Sequence, residues 1–270
     1  MKRLLRDAGV LGLLAVYAIP FFWQLLTSFK PEGELLVLPP LLPSYPTLAH
    51  YQAVLEQSLI PRALANSLGV AALTTLLALV LGLFGAYALA RLPIPGKAPL
   101  LLGVIASTAF PPIATVGPFY LLLRTLGLRD TWGALILAHT SFALPLILWL
   151  LTGFLREVPE ELEEAAFLDG ASRFQVLRSI VLPLAAPGVA SAALLTFLLS
   201  WNEFLFAYTF TATEASRTVP VALALFPGVF EVPWGDIAAA SILASLPPIV
   251  IVVGLQRYLV RGLLAGALRE

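Results

Sequence analysis

Six runs of apolar residues, at about 9–29, 64–90, 99–123, 131–155, 184–211 and 237–260, leave this chain few ways to fold. Each reaches the ~20 residues that an α-helix, rising about 1.5 Å per residue, needs to cross the hydrocarbon of a bilayer. Inside lipid no water is available to unpaired backbone N–H and C=O groups, so the expected fold is an all-α polytopic membrane protein with six transmembrane helices. Composition agrees: 12% of the residues are charged, against about 25% in an ordinary soluble domain. No polar second domain or low-complexity linker interrupts residues 1–270, and one transmembrane domain is expected throughout.

The first run follows Lys2, Arg3 and Arg6 in the manner of a signal peptide, but it is long enough to span and no small-x-small cleavage site follows it. It reads as a retained first span. Pro111, Pro112 and Pro118 interrupt the third run and Pro247 and Pro248 the sixth, so both helices should kink. Trp23, Trp132, Trp149, Trp201 and Trp234 mostly fall near span ends and read as interfacial anchors.

Orientation follows from the sixteen Lys and Arg residues. Lys2, Arg3, Arg6, Arg91, Lys97, Arg156, Arg173, Arg178, Arg257, Arg261 and Arg269, eleven in all, fall on one side of a six-span arrangement; Lys30, Arg62, Arg124, Arg129 and Arg217, five, fall on the other. The cationic excess marks the cytoplasmic side, which places both termini and the connection between spans four and five in the cytoplasm.

Several chemistries are excluded. The chain has no cysteine, hence no disulfide or thiolate site. A net charge of zero gives no reason to expect nucleic acid. No phosphate-cradling G-x-x-x-x-G-K-[ST] run is present, because Gly96-Lys97 lacks both the earlier Gly and the following hydroxyl. His50 and His139 are too far apart in sequence to suggest a metal pair; His50 carries no reading of its own, and His139, beside Thr140 and Ser141, reads as an interhelical hydrogen bonder. Glu203 is the one carboxylate well inside an expected span. It marks either a polar contact on a pathway, together with Asn202, or a hydrogen bond to a neighbouring helix.

The connection between spans four and five is the most distinctive polar segment. Pro159 suits a first helical position, and Glu160, Glu161 and Glu163 load the positive end of the helix dipole. Leu162, Ala165, Ala166 and Asp169 recur at three- and four-residue spacings, giving one small, mostly apolar face. Gly170 lets the chain turn out of that helix, and Ser172 can cap the next. A short helix shaped for a groove on another protein is the result.

Glu164-Ala165-Ala166, Gly170 after three residues, Ile180 after nine more, then Leu182-Pro183, closely resembles the cytoplasmic loop signature of the membrane subunits of binding-protein-dependent ABC importers. Asn66-Ser67, Trp201-Asn202-Glu203-Phe204 and Trp234-Gly235-Asp236, with the run from Gln256 to Gly266, are similar to the carbohydrate branch, whose six-span maltose-transporter permease shows them in this order; the likeness covers about 60–266. The resemblance implies a cytoplasmic coupling helix in which Glu163, Glu164, Ala165, Ala166, Leu168, Asp169, Gly170, Ile180 and Pro183 meet an ATPase subunit, with Glu164 paired to a cation there. It also implies a binding-protein loop of Leu225, Phe226, Pro227, Gly228, Val229 and Phe230, in the long outer connection at 212–236.

The implied assembly has a homologous second permease, two cytoplasmic ATPase subunits that carry ATP and Mg, and an extracytoplasmic solute-binding protein, all in a bacterial or archaeal cell (inner) membrane. No cofactor is expected on this chain. The function implied is to form half of the pathway of an ATP-driven sugar or oligosaccharide importer. Amino-acid or peptide import is the alternative within the class; an ion-coupled secondary transporter or an assembly factor would be a different class, and neither explains the coupling-loop pattern. Gly262 and Gly266 should let the end of the chain leave the sixth helix and run along the ATPase dimer.

Overall fold

The computed structural model describes residues 2–36, 41–226 and 232–267, which are mostly helical and include no strand. In chain order the helices are α1 Lys2–Phe29, α2 Ala49–Gln57, α3 Ile60–Arg91, α4 Lys97–Ala106, α5 Pro112–Thr125, α6 Trp132–Glu157 and α7 Glu160–Leu168. Then come α8 Arg173–Val176, α9 Leu182–Leu184, α10 Ala186–Trp201, α11 Leu205–Phe210, α12 Val219–Ala224 and α13 Trp234–Ala267. Among the described residues α1, α3, α6 and α13 each contain a stretch long and apolar enough to cross a membrane. Two bent pairs, Lys97–Ala109 with Pro112–Thr125 and Arg173–Leu184 with Ala186–Trp201, bring the number to six if each is one span.

Two of the expected runs are therefore broken outright. In the third, Phe110 and Pro111 are extended, the conformation that a following proline favours for each. The two halves meet at 94°. At the start of the fifth, Ala186–Trp201 turns by 80° about Ala185 from Arg173–Leu184, which lies ahead of the expected run. Upstream of that turn Pro183 lacks an N–H and its ring crowds the carbonyl four residues back. The chain answers with a widened π turn at Leu177–Val181. This run also stops at Trp201 instead of continuing to 211, and α11 starts afresh at Leu205.

The sixth run behaves in the opposite way. Its helix continues through Pro247 and Pro248 and on to Ala267, so the expected departure at Gly262 and Gly266 does not occur in the backbone. Two glycines cost a helix about 1 kcal/mol each, but Leu263, Leu264, Ala265 and Ala267 are among the best helix formers and offset them.

The α3 and α6 helices lie side by side along much of their length, and α10 packs against both and against α13. A side chain at Gly82 or Gly85 of α3 would run into Ile147 or Leu148 of α6, so the two backbones approach as closely as glycine permits. At the end of the bundle that carries α7, Ala86, Tyr87, Leu151, Leu155, Val158, Val176 and Val181 form one buried cluster.

Outward faces are apolar as well: Leu11, Leu14 and Phe21 of α1, for instance, are exposed, as lipid contact requires. Trp23, Trp149 and Trp234 are exposed and fit the anchor reading. Trp132 and Trp201 do not. Trp132 lies across Gly69 and donates from Nε1 to Asn66 at 3.1 Å, while Trp201 is buried and stacks on Phe197 with ring centres 5.7 Å apart.

Candidate functional site

The α7 helix begins one residue later than its proline suggests: Pro159 is the N-cap, and Glu160, Glu161 and Glu163 occupy the first turn. Its end is built as the sequence implies. Gly170 adopts φ +82°, a left-handed conformation that costs a residue with a Cβ about 1–2 kcal/mol. That geometry lets the Gly170 N–H donate to the Phe167 carbonyl at 3.1 Å and the Ala171 N–H to the Ala166 carbonyl at 2.9 Å, closing the helix on itself. Ser172 and Gln175 then form a reciprocal capping box at the start of α8. The reversal between α7 and α8 is thus fixed by backbone hydrogen bonds and a cap.

The coupling residues expected from the sequence divide between two faces. Glu164, Ala165, Leu168, Asp169, Gly170 and Pro183 point to the exterior. Leu168, at 90% exposure, is the most open large apolar side chain among the described residues, and Leu162 and Phe167 of α7 and Phe174 of α8 are exposed too. Ala166, placed by spacing on that same face, instead packs against the buried cluster, and Ile180 is half-buried. Glu163 is the clearest correction, because it points inward. Its Oε1 accepts from Arg91 Nε at 2.6 Å and its Oε2 from the Tyr87 hydroxyl at 3.0 Å, at the end of α3. It anchors the helix and is not part of the free face.

A cavity of about 890 Å³ opens where the two broken runs meet α6. Its wall is largely apolar, with Phe110, Phe119, Phe142 and Phe206, and its polar groups include Ser107, Ser141, His139, Ser200 and Glu203. His139 stands between the last two, Nδ1 being 2.7 Å from the Ser200 hydroxyl and Nε2 3.1 Å from Glu203 Oε2. An Nε2–H tautomer satisfies both contacts. Glu203 in turn accepts the Phe206 N–H at 2.8 Å and the Ala207 N–H at 3.0 Å, capping α11. One carboxylate therefore restarts the fifth run and ties it to α6, within this chain. Asn202 is exposed and bonds back to the Leu198 carbonyl at 2.8 Å, while Glu203 makes the interhelix hydrogen bond that is its other reading.

The opposite end is stapled by polar side chains. Asp130, with φ +61°, accepts the Ala212 N–H at 2.8 Å, the Thr213 N–H at 3.1 Å, the Thr213 hydroxyl at 2.7 Å and the Ser216 hydroxyl. Burial opposes ionisation of this carboxyl, but these donors outweigh it and hold its pKa well below the ordinary range. Asn66 donates to the Glu214 and Arg217 carbonyls at 3.2 and 2.8 Å, and Ser67 accepts the Val219 N–H at 2.8 Å. Val219, Val221 and Ala222 of α12 are consequently buried in this chain and are unavailable to a partner. Of the expected binding-protein loop, Leu225 is exposed and Phe226 half-buried, while Pro227, Gly228, Val229 and Phe230 lie outside the described residues.

His50 does carry a role that its sequence position concealed. Its Nδ1 is 2.7 Å from Asp236 Oδ1 and its Nε2 2.9 Å from the Lys30 carbonyl, so it clasps α2 to the start of α13. Gly235 lies beneath the imidazole, where any Cβ would overlap the ring. Trp234-Gly235-Asp236 was the available signal. Arg91, counted only as an orienting charge, was legible as the single cation closing an apolar helix four residues after Tyr87.

Comparison with known proteins agrees with this architecture. The family model described as "Binding-protein-dependent transport system inner membrane component" matches residues 78–265. The trehalose transport system permease protein SugB of Mycobacterium tuberculosis is 44% identical over 270 residues, spanning 97% of this chain and 96% of the relative. The trehalose/maltose transport system permease protein MalG of Thermococcus litoralis is 38% identical over 272 residues, spanning 100% and 98%. The crystal structure of a bacterial ABC transporter involved in the import of the acidic polysaccharide alginate contains a chain of the same fold. Its TM-score is 0.82 at 23% identity, over 94% of this chain and 95% of that one. This multi-pass membrane chain thus belongs to the family of binding-protein-dependent transport system inner membrane components, which are transport permeases and not enzymes.

Proposed function

We propose that the chain forms half of the translocation pathway of an ATP-driven importer, for a sugar or oligosaccharide delivered by an extracytoplasmic binding protein. The observation that carries this reading is the mounting of α7. Its inner face is fixed to the bundle through Glu163 and Ala166, while Leu168 stands 90% exposed at its end and Leu162 and Phe167 are exposed on the same helix. A concentration of exposed apolar side chains on a rigid polar helix suits a protein partner. In this reading the partner is an ATPase subunit, which holds the ATP and Mg, with Glu164 meeting a cation in its cleft.

The rest of the assembly follows from that role: a homologous second permease, two ATPase subunits and the binding protein, with both termini cytoplasmic as the Lys and Arg distribution favours. The cavity beside Phe110, Phe142 and Glu203 supplies this chain's share of the pathway, which the second permease completes. Saccharide is favoured over amino acids or peptides because relatives that are 44% and 38% identical over nearly the whole chain are named for trehalose and for trehalose or maltose. The docking role is tested by Leu168→Cys in this cysteine-free chain. A cross-link to the ATPase subunit, changing with nucleotide state, is the expected result; labelling by lipid-phase reagents alone would refute it.

A further inference from the structure

Three elements converge on one guanidinium at the end of α3. Besides Nε donating to Glu163, Arg91 donates from Nη2 to the Val158 carbonyl, the C-cap of α6, at 2.6 Å, and its Nη1 stands 3.5 Å from Glu160 of α7. The Arg91 and Glu163 side chains are 7% and 5% exposed. Tyr87, one turn earlier on the same helix face, holds the second Glu163 oxygen. Adhesion alone does not need such an arrangement, since well-packed apolar side chains bind two helices as tightly as a desolvated ion pair. A planar fork gripping a carboxylate on one side and a carbonyl on the other adds direction, because it fixes the distance and rotation of α7 relative to α3 and α6.

We propose that Arg91, assisted by Tyr87, is the positioning residue that makes α7 and the α3–α6 pair move as one body. Displacement of α7 is then delivered to the cavity and not absorbed in the connection at 158–159. The proposal rests on α7 being the ATPase-docking helix. The geometry supplies the rest of the route. Slip between α3 and α6 is resisted where Ile147 and Leu148 sit against Gly82 and Gly85. Farther along, α6 carries His139, which is bonded to Ser200 and Glu203 in the cavity wall.

The test uses the complete transporter in proteoliposomes with its binding protein, measuring saccharide imported per ATP hydrolysed. Trehalose is the probe, replaced by the best-imported member of a saccharide panel if the wild type does not take it. Arg91→Lys retains the charge but not the fork, and the ratio should fall at least about fivefold. Tyr87→Phe should lower it about twofold. The exchanged pair Arg91→Glu with Glu163→Arg should recover part of the loss suffered by Arg91→Glu alone. The Leu168→Cys cross-link, retained in these variants, shows that docking persists; if Arg91→Lys does not assemble, Tyr87→Phe carries the test. An unchanged ratio, or import and hydrolysis falling in equal proportion, overturns the positioning role and leaves docking intact. Absence of the cross-link in the Leu168→Cys chain with Arg91 and Tyr87 intact overturns docking itself, and this proposal with it.

Discussion

Gly170 offers a way to separate the conformation of α7 from its contact with a partner. Within this chain a Cβ at Gly170 meets nothing within 4 Å, so alanine there does not clash internally. The cost is purely that of φ +82°. For alanine that cost is about 1–2 kcal/mol, which corresponds to a roughly 5- to 30-fold shift in the equilibrium between closed and frayed α7 ends. Asparagine tolerates the left-handed region and should cost much less, whereas β-branched valine should cost more. The assay is hydrogen exchange at Gly170 and Ala171, whose amides close the helix end, in the free chain and in the assembled transporter. Expected exchange rates rise in the order Gly170→Asn, Gly170→Ala, Gly170→Val. Gly170→Asn then isolates the interface: if its exchange matches wild type while import falls, the added side chain is obstructing the partner. Equal exchange in all three variants would refute the strain argument.

Other consequences are as specific. His50→Ala and Asp236→Asn should loosen α2 similarly and combine non-additively, with a coupling of about 0.5–3 kcal/mol in a double-mutant cycle of thermal stability. Gly188→Ala brings a Cβ into the Phe154 ring and should destabilise by about 1–3 kcal/mol, an effect partly relieved by Phe154→Ala, which removes the ring. Asp130 has a folded-state pKa below its unfolded one, so its stabilisation of residues 212–216 is complete above about pH 4 and drains away as pH falls through the folded value. Hydrogen exchange of the Ala212 and Thr213 amides, taken relative to their intrinsic rates, should therefore rise progressively as the medium becomes more acidic, and Asp130→Asn should raise it already at neutral pH with little further acid dependence.

The sequence revealed helices better than breaks. Apolar runs of spanning length could hardly be anything but helices, and Gly170 and Ser172 announced the turn after α7 because only particular residues suit those positions. Prolines were harder to read. Pro111-Pro112 ends a helix in which Phe110 and Pro111 become extended, while Pro247-Pro248 sits within a continuous one, and the tertiary surroundings that decide between these outcomes leave no local trace. Polar side chains were hardest. Glu163 and Glu164 are neighbours of identical chemistry, yet one is buried on Arg91 and the other exposed, a distinction set by where α3 ends 72 residues earlier. His50 meets Asp236 across 186 residues, a separation no spacing rule covers.

Reconstitution addresses the central claim most directly. The chain, its companion permease, the ATPase subunits and the binding protein would be placed in proteoliposomes and challenged with a panel of mono- and disaccharides, amino acids and short peptides. The account predicts that one or more saccharides enter only when ATP and the binding protein are both present, and that the same saccharides raise ATP hydrolysis. Uptake driven by an ion gradient without ATP, or ATP-dependent uptake confined to amino acids or peptides, would contradict it.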